Sequence, residues 1–154
     1  MRFGLALLYA SIALAQQPVP AGIWSLNLAK SHMKDGKPIP FNKSHTISMQ
    51  PRESAVTWTE HRITSEGVMS ANFANIPANG EDAAVTTFLD GKSAETVRAS
   101  LRWEGRILVY TFKGPNFHGV RKMSLAPGGK TITANVEVNR FGTPAAWTEV
   151  WDRL

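Results

Sequence analysis

Apolar and polar residues alternate along most of the chain that follows residue 15. A period of two, with many β-branched and aromatic residues, is typical of β-strands that bury one face. The pattern predicts strands at Thr46–Gln50, Ala55–Ile63, Val68–Ala74, Glu95–Trp103, Arg106–Phe112, Gly119–Leu125, Thr131–Val138 and Ala146–Asp152. No segment of this region has the length and helical periodicity of a crossover helix between parallel strands. We therefore expect an all-β fold.

Short turn sequences separate the predicted strands. They are Pro51-Arg52-Glu53, Ser65-Glu66-Gly67, Asn79-Gly80, Asp90-Gly91, Glu104-Gly105, Gly114-Pro115, Pro127-Gly128-Gly129 and Phe141-Gly142-Thr143-Pro144. Because tight turns join the strands, neighbours in sequence pair as antiparallel hairpins. Closing such a meander removes its exposed edges, which favours an up-and-down antiparallel barrel of about eight to ten strands. A two-sheet sandwich is the alternative architecture.

One long polar segment interrupts this pattern. It runs from Ala29 to Asn42 and contains Gly36, Pro38 and Pro40. Its length and turn-forming residues are compatible with a lid over a binding site or with a plain connection between strands. The sequence leaves both interpretations open.

The composition excludes several classes of protein. With 43% apolar and 19% charged residues, the chain is too apolar to be intrinsically disordered. The absence of Cys excludes disulfides, thiol nucleophiles and metal sites built on thiolates. The net charge of +5 comes from scattered basic residues, of which Arg121-Lys122 is the densest group. Nucleic-acid binders cluster such residues on one face, so we expect no nucleic-acid partner.

The N-terminus has the three parts of a secretory signal peptide. Arg2 precedes an apolar run from Phe3 to Leu14, which closes with Ala13-Leu14-Ala15. The run is shorter than the roughly 20 residues of a membrane-spanning helix, and no later stretch approaches that length. We therefore expect a signal peptide at residues 1–15, a single barrel domain at residues 16–154, and a secreted or periplasmic protein without a transmembrane segment.

The sequence lacks the motifs of known catalytic and cofactor-binding sites. Gly91-Lys92-Ser93 and Gly129-Lys130-Thr131 end like phosphate-binding loops, but the first glycine of that motif and the helix after it are lacking. The four His, at positions 32, 45, 61 and 118, never lie two residues apart, as two ligands on one strand face would. We therefore predict no metal, no cofactor and no catalytic residue.

The start of the predicted domain resembles a known family. Gly22-Ile23-Trp24 is similar to the Gly-x-Trp signature of lipocalins, and Gly22–Ser31 resembles the start of small secreted bacterial lipocalin-like proteins of unknown function. Further parts of that pattern are Asp90-Gly91-Lys92, Leu125–Thr133 and Val150-Trp151-Asp152-Arg153. The resemblance implies a lipocalin-like barrel with an arginine packed over the first tryptophan. Arg153 is the candidate for that contact with Trp24, and Gly22 would allow a close approach beside it.

Aromatic residues supply the candidate ligand-binding surface. Trp147 and Trp151 share one face of the last predicted strand with Glu149, while smaller residues occupy the other face. Glu60 shares a strand face with Trp58, so it would point inward as a polar anchor. The residues predicted to bind a ligand are Trp58, Glu60, Tyr110, Phe112 and Trp147. The aromatic rings could instead simply fill the core.

These observations favour an exported protein that binds a small hydrophobic molecule or lipid in a barrel calyx. One alternative is a barrel enzyme of isomerase or cyclase type, which would use Glu60 with Arg62 or His61 with Tyr110. Another is an envelope interaction module with a filled core. An open apolar cavity favours binding, a buried carboxylate with a partner favours catalysis, and a filled barrel favours the interaction module.

Export can be tested directly. If residues 1–15 are a signal peptide, cleavage after Ala15 leaves Gln16 as the first residue. Mass spectrometry of protein recovered from an extracytoplasmic fraction should then find Gln16, free or cyclised, at the N-terminus. Recovery of a chain that keeps Met1 in the cytoplasm would contradict the prediction.

Overall fold

A computed structural model describes residues 18–94 and 96–154. The predicted signal peptide at residues 1–15 lies outside the described residues, and so does Glu95, the first residue of one predicted strand. In the described part of the chain, no helix is long and apolar enough to cross a membrane.

The described residues form twelve β-strands. They are β1 (Gly22–Leu26), β2 (His32–Met33), β3 (Asn42–Pro51), β4 (Ala55–Thr64), β5 (Met69–Pro77), β6 (Ala83–Leu89), β7 (Lys92–Ser93), β8 (Val97–Glu104), β9 (Ile107–Gly114), β10 (Phe117–Leu125), β11 (Thr131–Arg140) and β12 (Thr143–Arg153). All of them pair antiparallel. The prediction of an all-β fold is confirmed.

Ten of these strands close into a barrel. The hydrogen-bonded order is β1-β3-β4-β5-β6-β8-β9-β10-β11-β12, and β1 also pairs with β12. The pairing of β1 with β12 closes the barrel and places Trp24 opposite Arg153. On its other side, β1 pairs with β3, and Trp24 lies opposite Ile47. The predicted up-and-down barrel is therefore confirmed, and a sandwich is not formed. The two-residue strands β2 and β7 attach to β12 and β6.

Strand β6 was not among the predicted strands. Its inward positions carry Val85 and Thr87, and its outward positions carry Thr86 and Phe88, so neither face is distinctly polar. It pairs with β5 over one half of its length and with β8 over the other half. Tertiary pairing, more than the local pattern, therefore defines this strand.

The long polar segment is partly built into the barrel wall. In β2, Met33 pairs with Trp147, and so β2 continues the seam along β12 beyond the end of β1. The Ser31 hydroxyl accepts a hydrogen bond from the Val150 amide at 2.9 Å, and Ile39 is buried. These contacts hold the segment against the barrel along β12.

The two ends of the barrel interior differ in exposure. We call the end bounded by the β4–β5, β9–β10 and β11–β12 turns the mouth. Away from it the inward side chains are almost fully buried: Met49, Val56, Trp58, Ile76, Leu101, Leu108, Ile132 and Trp151. At the mouth the inward positions are half-buried, as Arg62, Asn72, Phe112, Val138 and Trp147 show. The interior is therefore a packed core at one end and a solvent-accessible recess at the other.

Trp24 is buried in the closed part of the barrel. Its Nε1 donates a hydrogen bond to the Pro20 carbonyl at 3.1 Å, and Arg153 lies over its ring with Cζ 5.6 Å from the ring centroid. A Cβ on Gly22, which has φ +132°, would come within 3.2 Å of Arg153 Nε. Glycine therefore both permits the backbone conformation and leaves room for the guanidinium.

Trp24→Ala should destabilise the fold by about 3–5 kcal/mol, because it removes a fully packed indole and its hydrogen bond. Ile23→Ala is the matched control, since Ile23 lies on the opposite face of β1 and is 51% exposed. It should cost less than about 1 kcal/mol. Urea unfolding measures both, and equal midpoints for Trp24→Ala and the wild type would contradict the role of this indole.

Candidate functional site

A charged cluster lies inside the barrel between the packed core and the mouth. It consists of His45 on β3, Glu60 on β4, Arg121 on β10 and Glu149 on β12, all of them at inward positions and buried. Strand alternation alone places these residues in the interior, because each shares a face with core residues of its strand. Four charged or titratable side chains therefore meet where the rest of the core is apolar.

Glu60 is held as a carboxylate by three donors. Its Oε1 lies 2.5 Å from His45 Nε2 and 3.4 Å from Arg121 Nη2, and its Oε2 accepts from Trp58 Nε1 at 3.4 Å. Burial alone would raise the pKa of Glu60, but the charge of Arg121 and the contact with His45 outweigh burial and hold this pKa well below its ordinary value. Since the carboxylate is ionised, His45 Nε2 carries the proton in their hydrogen bond.

Glu149 is the second carboxylate of the cluster and is 1% exposed. Arg121 Nε donates to its Oε2 at 2.9 Å, Trp151 Nε1 donates to the same oxygen at 3.1 Å, and Trp147 Nε1 donates to Oε1 at 2.9 Å. Burial would lower the pKa of Arg121, but Glu149 and Glu60 together raise it above its ordinary value. Arg121 is thus a permanently charged bridge between two buried carboxylates.

Arg62 lies one inward position nearer the mouth than Glu60 and is half-buried. Its guanidinium makes no hydrogen bond or ion pair with any described residue, and its Nε is buried without a partner. Burial lowers the pKa of Arg62, the charge of Glu60 raises it, the charges of Arg121 and Arg140 lower it further, and Glu149 raises it; the net shift is downward. An arginine remains charged under such shifts, so the recess holds a cation that has no hydrogen-bonded counter-ion.

Aromatic rings form much of the wall around the cluster. Trp58 stacks on Tyr110 with ring centroids 4.5 Å apart, and Phe112 follows at 5.6 Å from Tyr110, in the direction of the mouth. A Cβ at Gly119 would come within 2.5 Å of the Phe112 ring, so glycine lets that ring lie flat against the wall. The combination of aromatic walls and a few buried polar groups is typical of small-molecule sites.

The predicted ligand-binding residues fall into two groups. Trp58, Glu60 and Tyr110 are buried in the interior, whereas Phe112 and Trp147 are half-buried and accessible from the mouth. Trp147 also packs edge-on against Phe41 of the long polar segment, with ring centroids 4.8 Å apart.

The two residue pairs considered for an enzyme are placed differently. Glu60 and Arg62 are both inward but share no hydrogen bond, whereas His61 points outward and packs on Phe73, away from Tyr110. His45, Arg121 and Glu149 were not predicted as site residues. For Glu149 the available signal was its position between two tryptophans on one strand face.

A concavity of about 750 Å³ lies beside the mouth, along β9 to β12. Outward side chains such as Lys113, His118 and Glu137 line it, and so do the mouth residues Phe112, Val138 and Ala145. It contains none of the residues of the charged cluster. The chemistry of the molecule is concentrated in the interior, and we therefore assign the candidate site there.

No family model matches the chain, and no curated protein matches its sequence. Its fold is similar to that of the zebrafish ileal bile acid-binding protein complexed with cholic acid, with a TM-score of 0.50 and 12% identity over 87% of this chain and 98% of that chain. It is also similar to Rv2717c from M. tuberculosis, with a TM-score of 0.50 and 11% identity over 88% of this chain and 93% of that chain. At these identities the likeness shows the fold, a lipocalin-like barrel.

Arg121→Met should destabilise the protein by about 3–5 kcal/mol at neutral pH, because it leaves two buried carboxylates without their cation. Burial would then raise the pKa of Glu60, so the deficit should shrink as the pH falls toward about 5 and Glu60 takes up a proton. In the wild type, the Glu60 carboxylate contributes equally to the free energy of unfolding at pH 7 and at about pH 5. This contribution is lost only below about pH 4.3, the pKa of a glutamate in the unfolded chain.

Arg102→Met is the control for this variant. Arg102 pairs with Glu104 on the surface, where the two side chains are 44% and 47% exposed, so its loss should cost less than about 1 kcal/mol at either pH. Urea unfolding at the two pH values measures both effects. If Arg121→Met lost the same unfolding free energy at both pH values, the ionisation of Glu60 would not depend on this arginine.

Proposed function

We propose that this protein binds a small hydrophobic molecule or lipid in the mouth half of its barrel. The observation that carries the proposal is the change in exposure along the interior. Inward residues of the closed half are fully buried, whereas Phe112 and Trp147 remain accessible on inward faces at the mouth. Exposed aromatic surface inside a concave wall favours ligand burial, because water leaves apolar surface on both partners.

The fold is compatible with this role. The zebrafish neighbour was solved with cholic acid, a small amphipathic molecule. Ten-stranded barrels leave space inside for side chains and one small ligand. The neighbour's ligand supports the class of function we propose for this chain, and the identity of the ligand is a separate question.

We further propose that binding takes place outside the cytoplasm. The predicted signal peptide at residues 1–15 supports export to the periplasm or the medium. The segments that resemble small secreted bacterial lipocalin-like proteins, from Gly22-Ile23-Trp24 to the closing Val150–Arg153, agree with this location.

The charged cluster favours binding over catalysis. Glu60 and Glu149 each accept hydrogen bonds from three fixed donors, and the lowered pKa of Glu60 makes it a weak base. Arg121 is permanently charged and cannot act as an acid. The cluster acts as a fixed polar floor for the recess.

A neutral fluorescent probe tests the proposal. N-phenylnaphthylamine should bind the wild type with micromolar affinity, about 8 kcal/mol, and its emission should rise as it leaves water. Ala145→Trp should weaken binding at least about tenfold, because Ala145 faces inward at the mouth, opposite Val138. Thr133→Trp is the control, since Thr133 is exposed on the outward face of β11 and does not line the concavity beside the mouth. Absence of probe binding, or equal losses in both variants, would contradict an interior site.

A further inference from the structure

We propose that the ligand carries a carboxylate and that Arg62 binds it inside the barrel. This inference rests on the proposed function and adds the chemical class of the ligand. The inference rests on a half-buried guanidinium without a hydrogen-bond partner, which lies at the same end of the barrel as accessible aromatic surface. Arg62 would hold the acidic head, and the rings of Phe112 and Trp147 would contact the apolar part.

Arg62 has donors available for such a group. Its Nε is buried without a hydrogen-bond partner, and Arg121 Nη1 is likewise buried and unpartnered. A buried donor without an acceptor costs free energy, so native proteins rarely keep one without a function. Two such donors in one interior indicate that an acceptor is supplied from outside the chain.

The carboxylates of the protein do not supply that acceptor. Glu60 accepts hydrogen bonds from His45, Trp58 and Arg121. Glu149 accepts them from Arg121 and two tryptophans. The inward faces of β5, β6, β8 and β9 carry no charged side chain among the described residues. The two interior carboxylates act on Arg62 only through their charge, and its guanidinium keeps its hydrogen-bond donors free for a ligand.

The arginines are also arranged along the path from the mouth. Arg140 occupies an exposed position at the end of β11, Arg62 is half-buried, and Arg121 is 5% exposed. The charges of Glu60 and Glu149 act on Arg62 as well as those of Arg140 and Arg121, so three cations and two carboxylates lie within electrostatic range of one another and leave a net positive charge. Such a series attracts an anion to the mouth and holds it deeper in the barrel. The planar fork of a guanidinium fits a carboxylate through two parallel hydrogen bonds.

The test compares two probes that differ in their head group, dodecanoate and dodecanol, by displacement of N-phenylnaphthylamine. The wild type should prefer the acid by about tenfold or more, as expected for a partly buried charge-assisted hydrogen bond. Arg62→Gln should reduce this preference to about one. Arg62→Lys should keep part of it, because the charge remains while the fork is lost. Arg106→Gln, an exposed arginine in the turn at the closed end, should leave the preference unchanged.

The outcomes separate the inference from the proposed function. If both probes displace N-phenylnaphthylamine equally well, the protein binds apolar molecules and the carboxylate assignment is wrong. If the acid is preferred in the wild type and in Arg62→Gln alike, another group of the protein binds the carboxylate and the assignment to Arg62 is wrong. If neither probe nor N-phenylnaphthylamine binds, the proposed function itself fails. Urea unfolding of Arg62→Gln shows that a lost preference does not reflect a lost fold.

Discussion

Arg121 joins two buried carboxylates across the interior of the barrel, and the arrangement of the interior depends on this contact. Glu60 reaches it from β4 and Glu149 from β12, while Arg121 itself lies on β10. Each carboxylate also accepts hydrogen bonds from indole groups, so three tryptophans are oriented by the same cluster. Removing the guanidinium would leave two charges in a medium of low polarity, which is far more costly than an exposed pair.

This constraint explains why the barrel has two unlike halves. Below the cluster, the interior can be packed with apolar side chains, and Trp58 and Tyr110 stack there without access to water. Above it, a second arginine has no acceptor and the wall is aromatic, so filling that half with more apolar side chains would bury an unpaired charge. Arg62 is half-buried, and the recess around it stays accessible from the mouth.

The sequence predicted the fold much better than the site. Alternation in β4 and β11 is strong because one face is buried along much of the strand, and most of the turns that join the strands contain glycine or proline. β6 was missed because its two faces are chemically alike. The inward position of Glu60 follows from its spacing to Trp58, but its partners do not, since Arg121 lies 61 residues away in the chain. Contacts between strands so distant in sequence depend on closure of the barrel, which no local pattern encodes.

NMR of the tryptophan indoles tests the central claim, that a small apolar molecule binds in the mouth half of the interior. Five tryptophans give five indole N–H signals, and two of them report on opposite parts of the barrel. Titration with N-phenylnaphthylamine should shift the signal of Trp147, which is accessible at the mouth, and leave that of Trp24 in place. Saturable binding that moves neither indole signal, or shifts confined to the amides of the outward residues Lys113 and His118, would contradict the account.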